Sequence, residues 1–225
     1  AWGFFKKLVV ADNLAVYVDW IYNNLHFYRG LSLIMATVFF AFQIYCDFSG
    51  YSDIARGTAK LFGVELMVNF KSPYFSASIK EFWSRWHISL STWFRDYVYI
   101  PLGGNRVKRS RHYFNLVATF LVSGLWHGAE WTFVIWGGLH GLLQVAEQAL
   151  WPAGRKTDGG ERRGVTWWGR VILVFLAVCL AWVFFRADTL GDAVYLLTHM
   201  FDGIGDPYIY LLQAYVDMDF SMGEA

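Results

Sequence analysis

Four long runs without a charged side chain constrain the fold of this chain more than any other feature. They cover residues 30–46, 113–129, 131–146 and 171–185. Each run lies near the lower limit of roughly 17 residues for a membrane-spanning helix. A buried helix of a soluble protein is therefore an alternative for any single run. Four such runs, apolar on all sides and flanked by basic or aromatic residues, would need an unusually large soluble core, so they favour a membrane protein.

Composition agrees with a membrane protein and argues against a nucleic-acid-binding protein and against a metal-binding protein. Of the 225 residues, 56% are hydrophobic and only 16% are charged, against about 25% charged in soluble domains. The net charge of +1 argues against a nucleic-acid partner, because such proteins carry a basic field. The two cysteines, Cys46 and Cys179, lie in apolar runs without metal-binding spacing. The sequence therefore predicts no metal site.

Two basic stretches predict the orientation of the chain. Residues 106–111 carry only positive charge, and residues 152–170 form a predominantly basic loop. The positive-inside rule places both in the cytoplasm. The intervening chain must then cross and return, as a helical hairpin or a re-entrant pair turning near Gly128. Irregular backbone at membrane depth needs protein or water around it, which predicts a cavity near Trp126 and His127.

The resulting fold prediction is an all-α, polytopic transmembrane helical bundle with re-entrant or interfacial helices. Residues 1–225 are interpreted as one membrane domain. Because the chain begins at Ala1 without a signal-like segment, we expect it to be part of a longer protein.

Residues 78–100 differ from the apolar runs because they are amphipathic. At helical spacing, one broad face is apolar and aromatic, and a narrow polar stripe lies opposite. The stripe consists of Lys80, Ser84, His87, Ser91 and Arg95. One interpretation is a helix lying in the membrane interface. The other is a helix whose polar stripe lines a reaction tunnel, with His87 projecting into it.

Two histidines lie within the apolar runs, His127 and His140. An ionisable residue at membrane depth is a candidate functional residue, and histidine titrates near neutrality, which suits a general base acting on a hydroxyl. A neutral histidine bonded to a neighbouring helix is the alternative. For His127 both interpretations stay open, whereas for His140 packing is favoured.

The carboxylates Asp47 and Asp53 follow the first apolar run. They would be ion ligands in a transporter, but residues of this kind more often cap helices and fix packing. The packing interpretation is favoured.

Three stretches of the sequence resemble a known family. They are FWSRWHISLSTWFRDY at 82–97, IPLGGNR at 100–106 and SGLWHGA at 123–129. Together they resemble the two signatures of the membrane-bound O-acyltransferases, in the bacterial branch that contains the membrane subunit of alginate O-acetylation. Residues 3–7, 47–55 and 184–187 fit the same branch. The resemblance implies the central and C-terminal part of the family's core, with further spans before it.

The resemblance also assigns roles to individual residues. His127 matches the family's catalytic histidine. His87 matches the second histidine of this branch, which the D-alanyl transfer protein of teichoic acid modification also carries. Apart from the resemblance, helical periodicity alone predicts that the polar side chains of the stripe line a substrate tunnel near these histidines, and Trp126 and His140 are expected to line it too. The polar side chains are those of Lys80, Ser84, Ser91 and Arg95.

The implied activity is O-acyl transfer, with no bound cofactor and with acetyl-CoA or another acyl thioester as donor substrate. The protein is expected in the bacterial inner membrane, as a multi-pass protein in contact with lipid. The acceptor would be an extracytoplasmic polysaccharide such as alginate, reached directly or through a periplasmic esterase-like acetyltransferase partner. An ion- or proton-coupled transporter and a non-catalytic scaffold for that partner remain the alternatives.

Overall fold

The computed structural model describes residues 1–150 and 164–223, whose regular structure is helical throughout. The prediction of an all-α fold is therefore confirmed. The α-helices are α1 (Trp2–Phe4), α2 (Asp12–Asn23), α3 (Leu31–Leu61), α4 (Ile79–Arg85), α5 (Ile88–Phe94), α6 (Arg109–His127), α7 (Trp131–Leu150), α8 (Val165–Arg186), α9 (Leu190–His199) and α10 (Pro207–Gly223). π-helical segments cover Phe5–Ala11 and Arg95–Tyr99, and 3₁₀ turns cover Leu25–Phe27 and Pro73–Phe75.

Among the described helices, α3 and α8 are the two that are long and apolar enough to cross a membrane. They contain the predicted runs 30–46 and 171–185. The runs 113–129 and 131–146 form most of α6 and α7, which have 19 and 20 residues. Helix α8 begins at Val165, so the end of the predicted loop 152–170 is helical. The beginning of that loop falls in 151–163 and lies outside the described residues.

Contacts within the chain cluster into two compact units. The first contains Ala1–Met67 and the chain from Trp182 onward, and the second contains Val68–Ala181. In the first unit, α3 packs against α1, α2 and α10. Its buried core includes Tyr17, Ile21 and Leu33.

The first unit also holds the two carboxylates considered as ion ligands. Helix α3 continues through both of them, and lysines of the preceding π-helical segment pair with them. Lys6 Nζ lies 2.7 Å from Asp53 Oδ2 and donates to Ser49 Oγ at 2.9 Å. Lys7 Nζ lies 2.8 Å from Asp47 Oδ1. These ion pairs agree with the packing interpretation of the carboxylates.

In the second unit, α6 and α7 form the helical hairpin that the sequence predicted near Gly128. Glycines let the two backbones approach closely. A Cβ atom on Gly124 would lie 2.3 Å from the carbonyl oxygen of Phe133, and one on Gly137 would lie 2.2 Å from that of Phe120. Small residues at such positions are typical of helix pairs that associate within membranes.

Residues 78–100 do not form the single amphipathic helix that the periodicity suggested. Helix α4 begins after Ser78, whose Oγ accepts from the Glu81 backbone N–H at 2.9 Å as an N-cap. The helix ends at Arg85, Trp86 is extended, and His87 adopts the left-handed conformation with φ of 42° before α5 begins. The chain beyond Phe94 continues as a π-helix. The single-helix prediction is therefore wrong.

Candidate active site

The break between α4 and α5 presents His87. The groups left unpaired at the two helix ends bond to the chain that precedes α4. The backbone N–H of Ile88 donates to the Asn69 carbonyl at 3.0 Å, and that of Ser89 donates to Asn69 Oδ1 at 3.0 Å. The Lys71 backbone N–H donates to the carbonyl of Arg85 at 3.0 Å. These bonds satisfy the end groups that a broken helix exposes, and they hold His87 in a conformation that a non-glycine residue rarely adopts.

The His87 ring lies half-buried at this break. Its Nδ1 atom lies 3.3 Å from Ser89 Oγ, and its ring lies 6.3 Å from the ring of Phe70. Burial lowers the pKa of His87 below its ordinary value. The imidazole is therefore neutral near pH 7, with one nitrogen that donates and one that accepts.

His127 is the last residue of α6 and is also half-buried. Three aromatic rings surround it. The Trp126 ring lies 4.9 Å away, the Trp136 ring 5.2 Å away in an edge-on arrangement, and the Phe133 ring 6.5 Å away. The chain then turns at Gly128, where a side chain would meet the Phe133 ring at 2.5 Å. This site is therefore a largely apolar environment around a single imidazole.

The structure brings His87 and His127 within electrostatic range of each other. They come from different elements, the break before α5 and the end of α6. The Trp126 ring lies 6.2 Å from the Phe94 ring, so an aromatic contact also joins α5 to α6 beside the two histidines. The two residues that the resemblance singled out therefore lie in the same part of the second unit.

His140 lies in the interior of the second unit, with no exposed surface. Its Nδ1 accepts from Trp83 Nε1 at 3.2 Å, so in the neutral ring the proton is on Nε2. The Trp136 ring lies 5.2 Å from His140 and the same distance from His127. His140 thus holds α4 against α7, and Trp136 connects it to the site. This arrangement agrees with the packing interpretation.

The polar stripe is divided by the helix break. Lys80 and Ser84 lie exposed on α4, where the Lys80 backbone N–H donates to Glu147 Oε2 at 3.1 Å. Ser91 lies on α5, and its hydroxyl donates to the Trp86 carbonyl at 3.1 Å. Arg95 is exposed and pairs with Asp96 at 2.7 Å. The helical periodicity that grouped these side chains into one tunnel lining does not hold across Trp86.

Sequence reasoning missed two tryptophans and one asparagine of the site. Trp83 belongs to the apolar face predicted for residues 78–100, and Trp136 to the uncharged run 131–146. In the structure they bracket His140 and contact each other at 5.9 Å. A buried indole N–H needs an acceptor, and this requirement was the available signal for the Trp83–His140 bond. Asn69 carried no comparable signal, since it lies outside every motif.

The two histidines provide the means for general acid–base chemistry. A neutral imidazole can take a proton from a hydroxyl, and a second imidazole nearby can donate a hydrogen bond to a developing oxyanion. Among residues 1–150 and 164–223, no group of three His, Cys, Asp or Glu side chains is placed to hold a metal ion.

Comparisons with known proteins identify the family of this chain. A sequence profile of the membrane-bound O-acyltransferase family matches residues 2–187. The chain is 43% identical over 198 residues to the peptidoglycan O-acetyltransferase of Helicobacter pylori, covering 88% of this chain and 37% of that protein. It is 46% identical over 199 residues to the probable alginate O-acetylase of Pseudomonas putida, covering 88% and 39%.

A more distant relative is named for a different polymer. The teichoic acid D-alanyltransferase of Streptococcus thermophilus is 38% identical over 131 residues, or 55% of this chain and 31% of that protein. The chain thus spans less than two fifths of the length of each of these relatives. The family profile covers most of the chain and both histidines, and the chain belongs to the membrane-bound O-acyltransferase family.

Proposed function

We propose that this chain carries the acyl-transfer site of a membrane O-acyltransferase that modifies an extracytoplasmic polysaccharide. The observation that carries the proposal is the approach of His87 and His127 from separate elements within an aromatic setting. The names of the relatives support the polysaccharide class, because they specify alginate, peptidoglycan and teichoic acid.

The proposed reaction moves an acyl group from a thioester to a hydroxyl. His127 accepts the proton of the acceptor hydroxyl as its oxygen attacks the thioester carbonyl carbon. His87, neutral because of its burial, donates a hydrogen bond to the oxyanion that forms. The C–S bond then breaks, the ester remains on the acceptor, and the thiolate takes the proton from His127. The donor we propose is acetyl-CoA or another acyl thioester reaching the site from the cytoplasm.

The proposed setting is the bacterial inner membrane, with a periplasmic esterase-like acetyltransferase as partner. Membership in a membrane family and the apolar helices α3 and α8 support the membrane setting. The transporter alternative would use Asp47 and Asp53 as exchangeable ion ligands. Their pairing with Lys7 and Lys6 weakens that alternative, because both carboxylates already have a fixed cation.

The test is polymer acetylation in cells that carry the full-length protein with His127→Ala. We expect acetyl ester to disappear at unchanged membrane abundance. His26→Ala is the matched control, because that side chain is 68% exposed and lies in the other unit. Acetylation that persists in His127→Ala would exclude His127 as the base and favour the scaffold alternative.

A further inference from the structure

The second unit carries a depression of about 710 Å³ on the chain immediately before and within α4. Its lining combines two cationic side chains, two hydroxyls and one aromatic ring: Lys71, Ser72, Phe75, Ser84 and Arg85. Of the proposed tunnel residues, only Ser84 belongs to it. The depression therefore differs in chemistry from the aromatic surroundings of His127.

The depression is built on the same backbone that positions His87. The Lys71 backbone N–H donates to the Arg85 carbonyl at 3.0 Å. Asn69, two residues earlier, accepts the two bonds from the start of α5. The guanidinium of Arg85 also donates to the Phe75 carbonyl at 3.3 Å, which closes the loop that precedes α4. A ligand held in the depression would thus lie close along the chain to the proposed reaction site.

The charge balance of the depression is positive. Arg85 shares its charge with Glu81. Within residues 1–150 and 164–223, no carboxylate lies within ion-pair distance of the Lys71 ammonium. Lys71 therefore supplies the uncompensated positive charge, and the Ser72 hydroxyl lies in the same lining. The Ser84 hydroxyl already donates to the Glu81 carbonyl at 2.7 Å. Cations together with hydroxyl donors are the groups that bind phosphate in proteins.

The depression also lies at the end of the unit where the donor is expected to arrive. The Phe75 ring contacts the Trp168 ring at 6.3 Å, near the beginning of α8. The N–H of Lys80 bonds to Glu147 near the end of α7. Along the chain, the end of α7 and the beginning of α8 stand on either side of the predominantly basic stretch. The positive-inside rule assigns that stretch to the cytoplasm.

We propose that this depression, defined by Lys71 and Arg85, is a phosphate-binding subsite. Building on the proposed function, the phosphate belongs to the thioester donor, whose acyl end then extends toward His87 and His127. An anionic lipid headgroup carries the same chemistry and is the other source that the test distinguishes.

The experiment measures equilibrium binding of two probes to the full-length protein in phosphatidylcholine nanodiscs. Coenzyme A carries phosphates, and pantetheine has the same thiol arm without them. Lys71→Gln is compared with Lys71→Arg, which keeps the charge, and with Lys60→Gln, a matched control on a side chain 63% exposed in the other unit. Binding is measured without turnover, so failure of the subsite proposal is distinguishable from failure of the proposed transfer activity.

We expect Lys71→Gln to weaken coenzyme A binding about tenfold, as loss of one charge-assisted contact predicts. Pantetheine binding should stay unchanged, and Lys71→Arg and Lys60→Gln should bind coenzyme A like the unaltered protein. A parallel series with phosphatidylglycerol tests the lipid headgroup as the source of the phosphate. The subsite is assigned to a headgroup if phosphatidylglycerol binds, or inhibits coenzyme A binding, in a manner that depends on Lys71, while coenzyme A binds no more tightly than pantetheine. If Lys71→Gln changes the binding of neither coenzyme A nor phosphatidylglycerol, the subsite is refuted.

Discussion

At the scale of single residues, the proposed chemistry requires two neutral imidazoles that come from different elements. His87 is held at a left-handed position between two helices, and His127 ends α6. A strained backbone conformation persists only where the surrounding structure holds the residue in it. Here the bonds from Asn69 and Lys71 provide that constraint. The strain at His87 is therefore consistent with a residue positioned for chemistry.

The lowered pKa of His87 predicts how activity depends on pH. A cationic His87 would make the nearby base His127 harder to protonate, so transfer requires a neutral His87. A histidine whose pKa is lowered stays neutral further into the acidic range, so this requirement fails only as pH falls through the lowered value. We expect kcat/KM for acyl transfer to be level near neutrality, and its acidic limb to lie below the ordinary histidine pKa of about 6.5. Rates of thiol release measured against pH check this, and an acidic midpoint above 6.5 would contradict it.

At the scale of elements, the sequence predicted the helices better than their breaks. Uncharged runs marked the apolar parts of α3, α6, α7 and α8, because the hydropathy of a segment is a local property of the chain. The interruption at Trp86 and His87 was missed because α4 and α5 each continue the same helical pattern. What separates them is a long-range bond to Asn69, and no local rule encodes such a partner.

In the site, too, local sequence identified residues but not their long-range contacts. His127 and His140 stood out as ionisable residues in apolar runs, and the family signature distinguished between them. The Trp83–His140 bond joins α4 to α7 across a large separation in sequence. Periodicity placed Trp83 on an apolar face but did not identify its acceptor, because the pattern of one helix contains no information about the packing of another.

The α6–α7 hairpin depends on glycine at the contact, which gives a prediction for that element. Gly137→Ala places a Cβ atom 2.2 Å from the Phe120 carbonyl oxygen, so the helices must separate. We expect the free energy of unfolding to fall by about 1–3 kcal/mol, as in other overpacked interiors. Thermal unfolding in detergent measures the change.

Gly169→Ala on α8 is the matched control, because a Cβ atom there would meet no other heavy atom within 4 Å. It should leave stability unchanged or raise it slightly, since alanine favours a helix over glycine. Equal effects of the two substitutions would show that close approach of α6 and α7 does not hold the hairpin.

At the scale of the whole molecule, the two units carry different kinds of ionisable groups. The first contains the lysine–carboxylate pairs along α3, and the second contains both histidines of the proposed site. From the sequence alone, Asp47 and Asp53 remained candidate ion ligands, because their lysine partners lie far away along the chain.

This division predicts that the first unit affects stability rather than chemistry. Asp53→Asn leaves the buried ammonium of Lys6 with Ser49 as its remaining short contact. We expect a loss of about 2 kcal/mol in the free energy of unfolding, between the values for exposed and buried pairs. The folded fraction should keep its rate of acyl transfer. Unfolding in detergent and the rate per folded molecule are the two measurements.

Glu65→Gln is the control for that prediction, because the Glu65 side chain is 87% exposed and its contact to Lys60 is 4.0 Å long. It should leave stability within about 0.5 kcal/mol of the unaltered protein. A stable Asp53→Asn protein that folds normally but loses activity would instead support an ion-coupled role for this carboxylate.

The most direct test of the account is the rate of thiol release by purified full-length protein given a thioester donor and a hydroxyl acceptor. His127→Gln keeps a polar side chain but removes the base. We predict that the rate falls by at least about 10²-fold, with the donor KM and the thermal stability little changed. His26→Gln should react like the unaltered protein. A folded His127→Gln protein that transfers the acyl group at the original rate would contradict the assignment of His127 as the base.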